Sequence, residues 1–99
     1  MKNVVCVYGE SIAGDGYTWF YDSDTGEFIT FFEYEGEGDG YIEALEDMGV
    51  SYRYLYLDAG ESKLSWGELA DWWEKVRYES LTAIVKDAEK LKLETVWRG

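Results

Sequence analysis

The chain has 99 residues, a formal net charge of −12, 46% hydrophobic and 18% aromatic residues, one cysteine and no histidine. That length is one domain, and it is long enough to bury a core without covalent staples. The missing histidine and single Cys6 exclude imidazole catalysis, a Cys/His zinc site and an internal disulfide, and the charge repels nucleic acid and anionic lipid.

Charge is uneven. Residues 1–60 hold thirteen acids and two bases, whereas residues 61–99 hold eight acids and seven bases. Residues 10–47 contain twelve acids, no Lys or Arg, and nine aromatics. Disordered segments are poor in aromatics, so this stretch reads as folded and anionic. The single cysteine fits a reducing, cytoplasmic setting. The opening MKNVVCVYGE is too short in apolar residues for a signal peptide, and no run approaches the ~18 apolar residues of a membrane span.

In chain order, Asn3 to Tyr8 (NVVCVY) reads as a strand covered on both faces, with Cys6 an inert core residue. Gly9 to Gly16 reads as a loop. It lacks the Lys-Ser/Thr of a phosphate loop, and Glu10 and Asp15 would repel a phosphate. Tyr17 to Tyr21 and Phe28 to Glu35 read as a hairpin whose turn carries Asp22 at its start and Gly26 at a positive-φ position. Alternation places Trp19 and Tyr21 opposite Phe20. In the second strand it groups Phe28, Thr30, Phe32 and Tyr34 against Ile29, Phe31, Glu33 and Glu35.

Gly36 to Gly40 (GEGDG) reads as an acidic connector, followed by a short helix over 41–48 with Asp39 as its cap and Gly49 at its left-handed end. Ser51 to Asp58 is a strand with Tyr52, Tyr54 and Tyr56 on one face and Arg53, Leu55 and Leu57 on the other. Ser65 and Glu68 form a capping box, flanked by Leu64 and Leu69 as a hydrophobic staple. The helix they start carries Leu69, Trp72, Trp73 and Val76 at i, i+3, i+4, i+7. A second stripe of Leu81, Ile84, Val85, Ala88 and Leu91 is rotated from the first, which predicts a break around Tyr78 to Ser80. Leu93 to Trp97 reads as a closing strand. The expected fold class is α+β, a single domain over 1–99. It has a mainly antiparallel sheet of four to five strands, a short acidic helix and one long or broken C-terminal helix.

No catalytic residue emerges. The carboxylates leave a two-carboxylate hydrolase open, but no spacing selects a pair. Asp22, Asp24 and Glu27 around Gly26 are a weak calcium candidate without the spacing of an EF-hand loop. No cofactor is expected. A row of Tyr52, Tyr54 and Tyr56 could stack bases, but base stacking goes with a basic groove. An exposed aromatic here reads better as a protein-interface anchor.

The acids remain. Glu33, Glu35 and Glu37 alternate, so on a continuing strand they would project from one face about 6.7 Å apart. Glu43, Glu46 and Asp47 lie at i, i+3, i+4 on the short helix, and Asp39 stands between the two groups. Such rows of like charge repel one another, and a Lys/Arg-rich partner relieves the repulsion. The same acids also serve solubility without any partner. In size and charge the chain is similar to small acidic inhibitors that imitate DNA, such as phage anti-CRISPR and anti-restriction proteins. That resemblance implies an inhibitor that is not an enzyme. It would dock its anionic face on a basic nucleic-acid-binding protein, without binding nucleic acid or membrane itself. The alternatives are an interaction module with aromatic anchors, able to form homo-oligomers, and more remotely a carboxylate-based or calcium-linked enzyme.

Overall fold

A computed structural model of the chain describes residues 2–14 and 16–99. Asp15, counted above against a phosphate loop, lies outside the described residues. The elements are β1 (Asn3–Tyr8), α1 (Glu10–Ala13), β2 (Thr18–Asp22), β3 (Phe28–Phe32), α2 (Glu35–Asp47), β4 (Ser51–Asp58), α3 (Trp66–Val76), α4 (Leu81–Lys90) and β5 (Glu94–Arg98). The fold is α+β, with one five-stranded sheet ordered β3-β2-β1-β4-β5. The sheet is mixed rather than wholly antiparallel. Three pairings are antiparallel, but β1 and β4 at its centre run parallel, Val4 opposite Tyr52 and Tyr8 opposite Tyr56.

Both faces of the sheet are covered at its centre. On one side Val5, Val7, Trp19, Tyr21, Leu55 and Leu57 pack with Ile12 of α1, Leu69, Trp73 and Val76 of α3, and Leu81, Ile84 and Ala88 of α4. On the other, Val4, Cys6 and Phe20 pack with Ile42 and Leu45 of α2. This two-sided burial explains the unbroken apolar run of β1. The tyrosine and leucine faces of β4 separate as its alternation requires.

Helix α3 begins as its sequence demands. The Glu68 N–H donates to Ser65 Oγ (3.2 Å) and the Ser65 N–H to Glu68 Oε1 (3.0 Å). The break between the two C-terminal helices falls at residues 77–80, and Ser80 caps α4. Gly26 and Gly49 take the positive φ expected of them, at 78° and 72°.

Three local expectations fail. The loop over 9–16 contains the single-turn α1. Strand β3 slips at a bulge beside Phe20 and Tyr21, so Phe28 and Phe31 face α3 while Ile29 and Phe32 face α2. Strict alternation does not survive one extra residue. The largest departure is α2. The strand ends at Phe32, and Gly36 to Gly40 is the first part of a 13-residue helix, not a connector. Tyr34, not Asp39, occupies the N-cap, without a side-chain cap.

Glycine destabilises a helix interior, so packing must compensate. At Gly38 it does: the residue is buried, and a Cβ there would stand 2.6 Å from the Oγ1 of buried Thr18. Only glycine lets α2 approach β2 that closely. Gly36 and Gly40 have open space where a Cβ would sit. Gly40→Ala should therefore stabilise the protein by roughly 0.5–1 kcal/mol, while Gly38→Ala should destabilise it by about 1–3 kcal/mol. Urea titration of both variants reads the two signs, and equal shifts would contradict the close approach.

Candidate functional site

Helix α2 gathers most of the sequence's acidic candidates, but not in the expected grouping. At about 100° per residue, Glu35, Asp39, Glu43 and Glu46 fall within about 80° of one another, in steps of three and four residues. Asp47 follows about 40° further round. Glu37 lies on the other flank of the helix, and Glu33 precedes it in the loop after β3. All seven are exposed. The strand row of Glu33, Glu35 and Glu37 therefore does not exist, because Glu35 and Glu37 are helical. In its place stands a stripe of four acidic side chains along one flank, at the i, i+3 and i, i+4 spacings that set Cβ atoms about 5–6 Å apart.

That stripe is unfavourable for the helix itself. Like charges at i, i+4 repel. Glu46 and Asp47 sit in the last turn, which holds no base, where the helix dipole favours cations. Glu35 and Glu37 in the first turn are favourably placed.

Beside the stripe lies a row of tyrosines on the same face of the sheet. Tyr8 stacks on Tyr56 at 5.4 Å with rings 12° from parallel, and Tyr54 lies 5.8 Å from Tyr8 and 6.0 Å from Tyr56. Tyr52 meets Tyr54 edge-on at 5.6 Å. Tyr8, Tyr52 and Tyr54 are half-buried and Tyr56 is exposed. The row exists because β1 and β4 pair in parallel register, which sets their same-face residues side by side.

Stripe and row are joined. The Tyr52 hydroxyl donates to Glu46 Oε1 at 2.7 Å. Burial raises the Tyr8 pKa, and the charge of Asp39 adds to the rise. Burial, then the neighbouring Tyr52, pushes Tyr54 up to about 12. Tyr8 and Tyr54 are thus neutral at physiological pH. Tyr41 of α2 is also raised by burial, against Phe20 and Phe32. Carboxylates beside aromatic faces form a surface suited to arginine and lysine, which pair with the former and lie over the latter. Arg98 of β5 already places its guanidinium 5.9 Å from the Tyr56 ring.

The remaining candidates lie elsewhere. Asp22 Oδ1 accepts the N–H groups of Asp24 (2.8 Å) and Thr25 (3.2 Å), so it shapes the hairpin turn. Asn3 donates to Asp24 at 3.3 Å. Among the described residues no three Asp, Glu or Cys side chains gather to hold a metal ion. Cys6 is fully buried, and burial pushes its thiol pKa up, so no thiolate forms near neutrality. Trp73 is buried and Trp72 half-buried, as their stripe requires, whereas Trp66 is 79% exposed.

The buried phenol Tyr21 gives a pH test of the core. Its hydroxyl donates to the Arg77 carbonyl at 2.6 Å, and burial raises its pKa above the ordinary 10.0. Its contribution is fully present below about pH 10 and is lost as pH climbs, because only the unfolded chain ionises readily. Above pH 10 the stability of Tyr21→Phe should fall less steeply than that of the parent, by about 1.4 kcal/mol per pH unit. Denaturant melts between pH 9 and 11.5 measure both slopes, and parallel slopes would place this phenol in water.

Among the described residues no helix is long and apolar enough to cross a membrane. The chain matches no family model, no curated protein and no solved structure.

Proposed function

We propose that this is an acidic binding protein without enzymatic activity. It docks the α2 carboxylate stripe and the adjoining tyrosine row on a basic, nucleic-acid-binding protein and occludes that partner's site, in the manner of a DNA mimic acting in the cytoplasm. The observation that carries the reading is the placement of Glu35, Asp39, Glu43 and Glu46 on one flank of a helix, joined to the tyrosine row by the Glu46–Tyr52 bond. The stripe costs the helix stability, and a partner's Lys and Arg side chains would offset that cost. Successive carboxylates on a rigid helix offer the partner a line of negative charge, as a nucleic-acid backbone does. The acids that form the stripe are a subset of those singled out by sequence. Glu33 and Glu37 fall outside the stripe.

Competition tests this reading. Immobilised protein is challenged with lysate at low salt, and bound proteins are then exposed to excess duplex DNA. A DNA mimic loses its partners to the duplex, and also to high salt, because both compete for the same basic surface. Partners that withstand both would contradict the proposal. They would favour instead an interaction module held by aromatic anchors, for which Trp66, Tyr78 and Trp97 are the exposed candidates.

A further inference from the structure

A cleft of about 780 Å3 opens where the parallel strands β1 and β4 end. Its walls are aromatic and aliphatic: Tyr8, Tyr56, Trp66, Ile12, Ala70 and Val96. Its charged lining residues are Glu10, Asp58 and Glu94, and no Lys or Arg lines it. We propose that this cleft binds a small organic cation, an alkylated ammonium head carried on an apolar body. The cleft shares Tyr8 and Tyr56 with the tyrosine row, but Trp66, Glu10 and Glu94 belong to neither that row nor the α2 stripe, so variants at these three test the cleft apart from the docking face.

Size and position come first. The volume falls within the ~300–1,000 Å3 of small-molecule sites. The carboxyl ends of parallel strands are where open sheets bind ligands, and β1 and β4 are the parallel pair here. The rim is built rather than loose. The Ser11 hydroxyl donates to the Asp58 carboxylate and accepts the Ala59 N–H at 2.9 Å, tying α1 to the end of β4.

Chemistry selects the charge. Three carboxylates disfavour an anion. At the start of α3 the Ser65 hydroxyl already takes the Glu68 N–H, and the Glu68 carboxylate accepts the Ser65 N–H and adds negative charge. A bare metal ion wants converging oxygens, and among the described residues no such cluster gathers. An alkylated ammonium is weakly hydrated and gains from aromatic faces. The stacked Tyr8–Tyr56 pair and Trp66 supply those faces, and Trp66 at 79% exposed has no packing role that accounts for its place on the rim.

The test uses choline, benzyltrimethylammonium and 3,3-dimethylbutan-1-ol, the last a neutral isostere of choline. Binding is followed through the indole N–H resonances of the ¹⁵N-labelled protein, with Trp66→Ala assigning the Trp66 signal. Both cations should shift that signal saturably, and choline should bind roughly tenfold more tightly than the alcohol. Glu10→Gln with Glu94→Gln should weaken both cations by roughly tenfold or more. Asp71→Asn with Glu74→Gln, an equal charge change on the outer face of α3, should leave their affinities within about twofold. All four of these carboxylates are exposed, so the variants keep the fold. Equal binding of alcohol and choline, absence of saturation, or equal weakening by the two double variants would each overturn the proposal.

Discussion

Trp73→Ala should destabilise the protein by about 3–5 kcal/mol, the range for truncating a buried aromatic. Trp73 is 3% exposed, and three rings meet its own at steep angles: Tyr17 at 5.2 Å, Trp19 at 5.3 Å and Phe31 at 5.9 Å. The Arg77 guanidinium lies 4.4 Å from the Trp73 ring, and also 4.2 Å from Phe31 and 4.8 Å from Tyr78. One side chain thus ties α3 to β2, to β3 and to the break before α4. Total stabilities of single domains are about 5–15 kcal/mol, so the variant should be largely unfolded at mild urea concentrations. Trp66→Ala is the internal contrast. That ring is exposed, and its loss should change stability by no more than about 0.5 kcal/mol. Urea titrations of the two variants decide the matter, and similar losses from both would contradict the packing of α3.

Helix α3 declares itself locally: a capping box fixes its start, and the i, i+3, i+4, i+7 stripe marks Trp73 as core. Trp66 was not legible in the same way, since it stands three residues before Leu69 with helical spacing to the stripe, and it is exposed as the first residue of the helix. The alternation of β4 and the turn at Asp22 to Gly26 are equally local. Helix α2 is not. Glycine at 36, 38 and 40 is the composition of a loop, and only the contact of Gly38 with Thr18, twenty residues away, makes one of those glycines a packing residue. The parallel pairing of β1 and β4 spans some fifty residues and has no local signal either. The tyrosine row and the cleft at its end both depend on it. The charges of the site were therefore legible and their arrangement was not. Glu33, Glu35 and Glu37 share a face only if the strand continues past Phe32. Once Glu35 starts a helix, its neighbours on the surface become Asp39, Glu43 and Glu46. The one local sign pointing that way was the spacing itself, since 35, 39 and 43 fall at i, i+4, i+8.

Replacing Glu35 and Glu43 by Gln and Asp39 by Asn should weaken the complex with a basic partner by roughly a hundredfold or more, since each close interfacial charge pair can contribute about 1.5 kcal/mol or more. The three side chains are exposed, so their neutralisation should leave the fold intact. Relief of the i, i+4 repulsion and loss of the favourable first-turn place of Glu35 offset each other, and stability should change by no more than about 0.5 kcal/mol. Glu46 is spared because it holds Tyr52. Much of the loss should appear in the association rate, which long-range attraction sets, and it should shrink as salt screens the parent's advantage. The control carries the same change in net charge on α3 and α4, as Asp71→Asn, Glu74→Gln and Glu89→Gln, all exposed residues away from the stripe. Glu68 is unsuitable there because it caps α3.

The decisive measurement is the binding kinetics of the parent and both triple variants, at low and moderate salt, against a partner released by duplex DNA. A large loss of association rate and affinity from the α2 variant, with at most a few-fold loss from the control, is the result expected if the stripe docks the partner. Equal losses would mean that net charge alone matters, and no loss from the α2 variant would contradict the docking face outright.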